Sequence, residues 1–119
     1  MKTLVLGAST NPARYSYKAT QRLLAAGHEV VLVGGRPGEL AGEPIHAEPV
    51  AVPDVDTVTL YIGPARQPAY YRYLTEELQP RRIIFNPGTE NPELVRLATE
   101  AGVVAEVACT LVLLATGEY

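Results

Sequence analysis

The stretch Lys2-Thr3-Leu4-Val5-Leu6-Gly7-Ala8-Ser9-Thr10-Asn11-Pro12, followed by the helix-forming run Tyr17–Ala26, decides how the rest of the chain is read. An apolar strand core, Leu4-Val5-Leu6, passes directly into small and polar residues. Ala19, Leu23, Leu24 and Ala26 then form an apolar helical stripe with Gly27 just past its end. A first strand that opens through a small-residue turn onto a helix N-terminus is how α/β folds present backbone N–H groups to phosphate. Gly7 permits the tight turn, Ala8 and Ser9 keep the backbone accessible, and Ser9, Thr10 and Ser16 add hydroxyls. The expected ligand is a phosphorylated cofactor.

Working outward, strands and helices alternate. Glu29–Val33 is a continuous β-branched run of the kind buried on both faces. Gly34–Gly38 reads as a turn, Pro44–Ala47 as a weak strand, and Thr57–Ile62 as the next full strand. Gln67–Leu78 reads as a helix with Tyr70, Tyr71, Leu74 and Leu78 on one side, stopped by Pro80. Arg82–Phe85 is a further buried strand. Asn91-Pro92 supplies an N-cap and a first-turn proline for a helix running to Ala101. Val103–Val107 is the last strand, and Thr110–Ala115 a short terminal helix ended by Gly117. The alternation predicts one Rossmann-like α/β domain over residues 1–119, with about five parallel strands and helices on both faces.

Bulk composition narrows the classes. With 47% hydrophobic and 19% charged residues the chain reads as globular and soluble. A formal charge of −3, with Lys and Arg scattered, speaks against a nucleic-acid surface. One cysteine, Cys109, excludes an internal disulfide and fits a reducing compartment. No run approaches the roughly 18 apolar residues that span a bilayer, and the first residues do not resemble a signal peptide. The expectation is a cytoplasmic protein with neither membrane nor nucleic acid as partner.

In open parallel sheets the ligand lies beyond the carboxyl ends of the strands, where strand order reverses. That rule nominates the loops Gly7–Ser16, Gly34–Gly38, Gly63–Arg66, Asn86–Glu90 and Ala108–Thr110. The first loop lacks the G-x-G-x-x-G dinucleotide fingerprint, since Ser9 and Pro12 stand at the second and third glycine positions. It also lacks the G-K-[ST] of a nucleoside-triphosphate loop. After the second strand, where an NAD site places an acid, the chain has Gly34-Gly35-Arg36. An arginine there suits a phosphorylated ribose, as in NADP or coenzyme A.

Several stretches resemble the small stand-alone CoA-binding proteins, whose domain is similar to the CoA-binding domain of the succinyl-CoA synthetase α-subunit. They are Val5-Leu6-Gly7-Ala8-Ser9-x-x-Pro12-x-Arg14-x-Ser16, the run from Gly27 through Val33 to Arg36, and Leu40-x-Gly42-Glu43-Pro44. Asn86-x-Gly88 and Cys109 after the last strand complete the set. The resemblance covers nearly the whole chain in order. It implies coenzyme A or an acyl-CoA as cofactor. Gly7, Ala8, Ser9, Thr10, Asn11 and Ser16 would then hold the pyrophosphate. Arg36 would lie at the ribose 3′-phosphate, Arg14 at a second phosphate, and Asn86 and Gly88 would belong to the same site. The chain departs from its relatives at Gly34-Gly35, where they carry Asn-Pro. It departs at Ile62-Gly63, where they carry basic residues, and at Val107-Ala108, where they carry Asp-Arg. Each departure removes polar groups.

For catalysis the chain offers little. His28 and His46 are isolated, match no metal-ligand spacing with Cys109, and read as surface residues. Cys109 has no evident base and reads either as a small buried hydrophobe or as a partner for the CoA thiol. The leading reading is a non-catalytic binding module with a regulatory use. The alternatives are an NADP- or NAD-type binder related to a truncated oxidoreductase, and a protein-interaction scaffold with a vestigial nucleotide site. Tyr70, Tyr71 and Tyr73 cover more than one helix face, so at least one is expected to be exposed, which fits a homodimer or another protein partner through this helix and equally fits ordinary packing on the sheet.

Overall fold

A computed structural model describes residues 1–119. The chain forms β1 (Lys2–Leu6), α1 (Tyr15–Ala25), β2 (Glu29–Val33), β3 (Gly38–Leu40), β4 (Glu43–His46), β5 (Thr57–Leu60), β6 (Arg82–Phe85), α2 (Pro92–Glu100), β7 (Val104–Val107) and α3 (Thr110–Ala115). One sheet holds all seven strands in the order β3-β4-β2-β1-β5-β6-β7. Every pairing is parallel except β3 with β4. The α/β Rossmann-like class is as the alternation predicts.

The strand count differs from the expected five. Seven form because the weak strand read at Pro44–Ala47 is a full member of the sheet, β4, and because the last residue of the stretch read as the Gly34–Gly38 turn instead starts β3. A hairpin turns at Ala41-Gly42, both with positive φ, and pairs Glu39 with Pro44. Such a short antiparallel edge is dictated by the turn and carries almost no apolar signal of its own.

Alternation along the central strands divides the core between the two faces. Leu4, Leu6, Val58, Leu60, Ile83 and Phe85 pack with Tyr73, Leu74, Leu94 and Ala98 on one side. Val5, Val30 and Leu32 pack with Leu23 on the other. β5 and β6 are buried at every position, as interior parallel strands must be.

The segment expected to be a regular helix over Gln67–Leu78 is not one. After a 3₁₀ turn at Pro64–Arg66, it runs from a second 3₁₀ turn at Pro68–Tyr70 through Tyr71 and Arg72 into a π-helical stretch at Tyr73–Leu78. Pro68 donates no hydrogen bond, so the turn at Pro64–Arg66 cannot continue into the one that follows. Gln79, at φ 44°, ends the segment with its N–H bonded to the Leu74 carbonyl. The repacking turns all three tyrosines inward, contrary to the expectation that one stands exposed. Tyr73 is buried and donates to the Val50 carbonyl at 2.6 Å, while Tyr70 and Tyr71 are half-buried against the core.

α2 begins as predicted, with the Asn91 side chain accepting from the Glu93 and Leu94 N–H groups and Pro92 in the first turn. No helix is long and apolar enough to cross a membrane.

The registers set up the site. Leu6 pairs with Val33 and with Leu60, Leu60 with Phe85, and Phe85 with Val107. Five strands therefore end in one row. The loops that start at Gly7, Gly34, Tyr61, Asn86 and Ala108 all open on the same edge of the molecule.

Candidate functional site

From β1 the chain builds outward through β2 and β4, then crosses back to place β5 on the other side of β1. The strand order reverses at β1, and a cleft of about 570 Å³ opens there. It is lined by Gly7, Ala8, Ser9, Thr10, Asn11 and Arg14 from the β1–α1 loop. Gly35, Arg36 and Pro37 come from the loop after β2, and Tyr61, Ile62 and Arg66 from the segment after β5, with Ile45 at the floor.

Local packing shapes the cleft walls. Gly7 adopts φ +103°, and a Cβ there would sit 3.0 Å from the Tyr61 carbonyl carbon. At Gly34 a Cβ would come within 2.4 Å of the Ala8 carbonyl oxygen. The loops after β1 and β2 touch through their backbones, so the glycine read as a lost polar residue is demanded by close approach.

The turn's donors divide into two sets. Gly7 and Ala8 N–H both bond to the Val33 carbonyl, at 2.8 and 3.0 Å. The Asn11 N–H bonds to Ser9 Oγ and the Ala13 N–H to Asn11 Oδ1. Ser9 and Thr10 N–H have no intramolecular acceptor. They are the main-chain donors an anion would meet, together with the orphan donors of the first turn of α1.

That helix end is unusual in its charge. Its N-cap is Arg14, whose side chain makes no capping bond, and its first turn holds no acid. A cation at the positive end of a helix is unfavourable until an anion joins them. Arg36 and Arg66 flank the same space, and the lining contains no carboxylate. Arg72, Arg81, Arg82 and Arg96 are in ion pairs, whereas Arg14, Arg36 and Arg66 have none, a state shared outside the cleft by Arg22 on α1. A Cβ on Gly35 would lie 3.4 Å from Arg66 Nη2, so this guanidinium reaches across from the β5 side to the loop after β2. A polyphosphate is the kind of ligand this donor set fits.

The structure gathers Gly7, Ala8, Ser9, Thr10, Asn11, Arg14 and Arg36 around one cleft. It does not bring the remaining candidates there. Ser16 is buried within the first turns of α1, 3% exposed. Gly88 is an exposed turn residue whose N–H bonds to Glu90 Oε1 at 2.8 Å. Asn86 is buried, and its side chain is committed internally. Nδ2 donates to Thr59 Oγ1 and the Leu60 carbonyl, and Oδ1 accepts from the Thr110 N–H.

Sequence reasoning missed Arg66 and Tyr61. Arg66 closes a loop that the strand-end rule does nominate, three residues beyond the Gly63 at which relatives' basic residues are lacking. Tyr61 falls inside the expected strand Thr57–Ile62, but β5 ends at Leu60 and frees it to line the cleft. The Tyr61 hydroxyl is buried beside Thr59 and Thr110 without a hydrogen bond of good geometry to either, and burial pushes the phenol above its ordinary value. Also unforeseen is Gln67, wholly buried, which donates to the Ile62 and Thr89 carbonyls and accepts from Asn91. It ties the segment carrying Arg66 to the loop after β6.

A mostly parallel sheet whose strand order reverses at β1, with a cleft over the N-terminus of α1, defines a Rossmann-like α/β domain. The chain belongs to the CoA binding domain family, whose sequence profile matches residues 1–115. A crystal structure described as that of an uncharacterized protein is similar at 47% identity and TM-score 0.96, covering 99% of this chain and 97% of the other. A conserved hypothetical protein from Pyrococcus furiosus is similar at 28% identity and TM-score 0.82, covering 93% of this chain and 97% of the other. A hypothetical protein from Pyrococcus horikoshii OT3 is similar at 26% identity and TM-score 0.80, covering 92% and 78%. No functionally curated protein matches the chain.

Proposed function

We propose that the chain is a non-catalytic module that binds coenzyme A or an acyl-CoA in the cleft at the β1 reversal. The observation that carries this reading is the set of three ion-pair-free arginines, Arg14, Arg36 and Arg66, around a helix N-terminus with no carboxylate in the lining. CoA bears a pyrophosphate and a separate ribose 3′-phosphate, so it needs cationic donors at more than one point. Ser9 and Thr10 N–H, the first turn of α1 and Arg14 would receive the pyrophosphate. Arg36, beyond the end of β2 where a dinucleotide site places its ribose-reading residue, would receive the 3′-phosphate. Arg66 would add charge from the facing side. Asn11 and Thr10 supply an amide and a hydroxyl suited to holding a ligand, and Tyr61 supplies a wall.

Calorimetric titration with CoA, dephospho-CoA, NADP and NAD tests this. A charge-assisted contact contributes about 1.5–3 kcal/mol. Arg36→Ala should therefore weaken CoA about tenfold to a hundredfold and leave dephospho-CoA nearly unchanged. Equal weakening of both would remove Arg36 from the 3′-phosphate. Tighter binding of NADP than of CoA would move the assignment to a dinucleotide.

A further inference from the structure

Next to the arginine cleft lies a second cavity of about 210 Å³, lined by Tyr15, Tyr61, Asn86, Pro87, Cys109 and Leu111. It continues the same row of strand ends, from β5 across β6 to β7, and Tyr61 is a wall of both cavities. Neighbouring strands are about 4.8 Å apart, so the second cavity begins within one or two strand spacings of the first. Its character is the opposite of its neighbour's. Aromatic rings, a proline ring, a thiol and an isobutyl group line it, and no charged side chain does. Its one amide, Asn86, has both polar ends engaged by Thr59, Leu60 and Thr110.

A polyanion site that continues into a small uncharged cavity fits a ligand with phosphates at one end and an apolar group at the other, the pantetheine arm between them folding to span a gap shorter than its extended length. We infer that the second cavity is the acyl subsite, so that the physiological ligand is a short- to medium-chain acyl-CoA and not the free thiol. The inference rests on the reading of the first cleft as a CoA site. Size sets the preferred chain. An apolar cavity of about 150 Å³ accommodates benzene, so 210 Å³ takes an acyl chain on the order of six carbons. A long fatty chain would run out into solvent past the exposed ring of Tyr15, which is 68% exposed. Cys109 is then a wall of the subsite, contributing a small, soft surface beside the thioester end, and no covalent step is required of it.

The test is titration of the protein with CoA and its acetyl, butyryl, hexanoyl and decanoyl thioesters. Each buried methylene strengthens binding about fourfold at full burial. Because the cavity is partly open, the rise should be about two- to fourfold per methylene through hexanoyl-CoA, and flat from there to decanoyl-CoA. Leu111→Trp fills the cavity and should bring the ratio of hexanoyl-CoA to CoA affinity close to one. Cys109→Met is the milder filling variant if the tryptophan disturbs folding. CoA binding with no gain along the series would overturn the acyl subsite while leaving the CoA site standing. A full gain retained in both folded variants would place the acyl group elsewhere and overturn it as well. Failure of CoA and of every thioester to bind would overturn the CoA reading and this inference together.

Discussion

Asn86→Ala separates a structural pin from a ligand contact at one position. The side chain is 2% exposed and makes three hydrogen bonds, of 2.8 Å to Thr59 Oγ1, 2.9 Å to the Leu60 carbonyl and 2.9 Å from the Thr110 N–H. These join the ends of β5 and β6 to the start of α3. Alanine removes all three. Thr59 Oγ1 keeps its 2.8 Å bond with Thr110 Oγ1, so its loss is small. The Leu60 carbonyl and the Thr110 N–H are left buried without that partner, at about 1–3 kcal/mol each. The lower half of that range gives a loss of about 3 kcal/mol. For a domain of this size that lowers Tm by roughly 10–20 °C. Urea unfolding should show the midpoint shift at constant slope, and hydrogen exchange should show the Thr110 amide among the first to lose protection. A variant within about 1 kcal/mol of the parent that has nevertheless lost CoA affinity would refute the reasoning and make Asn86 a ligand group.

The remaining predictions concern the cleft wall and the pH response. Gly34→Ala forces a Cβ to 2.4 Å from a backbone oxygen that has no rotamer to escape into, and should destabilise by about 1–3 kcal/mol or more. Gly63→Ala, at φ −68° with nothing within 4 Å of its Cβ, is the control and should stay within about 0.5 kcal/mol; equal loss in both would sink the steric argument. Arg81, bonded to Asp56 at 2.9 and 3.2 Å, holds that carboxyl below its ordinary range. Its contribution is therefore present above about pH 4 and fades as the pH falls through the lowered value. Asp56→Asn should flatten the acid limb of a urea-midpoint profile, and an unchanged limb would exclude the pair as its source. His28 is held below its usual value, first by burial and then by the charge of the N-terminal amine. The stability that comes with its neutral form is present above about pH 6.5 and lost as the pH drops. His28→Gln should remove that slope, and a slope that persists would assign it to another group.

How much was legible follows from what each residue depends on. The β1 turn could be read because its signal is local: Leu4-Val5-Leu6 demands a strand, and Gly7 with Asn11-Pro12 demands a break. Asn91-Pro92 could be read for the same reason, since a cap and a first-turn proline act within one turn of helix. The 64–78 segment could not. Its apolar spacing is helical, but its last turns are π-helical, with the Gln79 N–H reaching back five residues to the Leu74 carbonyl, and the buried Gln67 is explained only by carbonyls of Ile62 and Thr89 that tertiary packing brings to it. Strand β3 was illegible because it exists only as the partner of β4. In the site, Asn86 and Gly34 show two limits of reading polarity from one chain. A buried amide looks like a ligand group until its partners are known, and a glycine looks like a missing one until a carbonyl is found against it.

The departures from the family pattern can now be weighed as physics instead of as losses. Gly34 is imposed by the Ala8 carbonyl, which lies where any side chain would begin. The basic residues lacking at Ile62-Gly63 have a counterpart in Arg66, whose guanidinium approaches Gly35 because the 3₁₀ turn at Pro64–Arg66 folds it back over the strand ends. Gly35 itself keeps that approach free of a Cβ. A vestigial site would be expected to relax its electrostatics, with the arginines drawn into ion pairs on a chain of net charge −3. Instead three cations converge on a helix N-terminus without a carboxylate among them, an arrangement that repels itself in the absence of an anion. The strain has a measurable consequence. Binding of a polyanion should raise Tm more at low salt than at high salt, because the relief of arginine repulsion is screened over roughly 10 Å at 0.1 M. A scaffold with no ligand would instead be stabilised by salt alone, with CoA making no difference at any ionic strength.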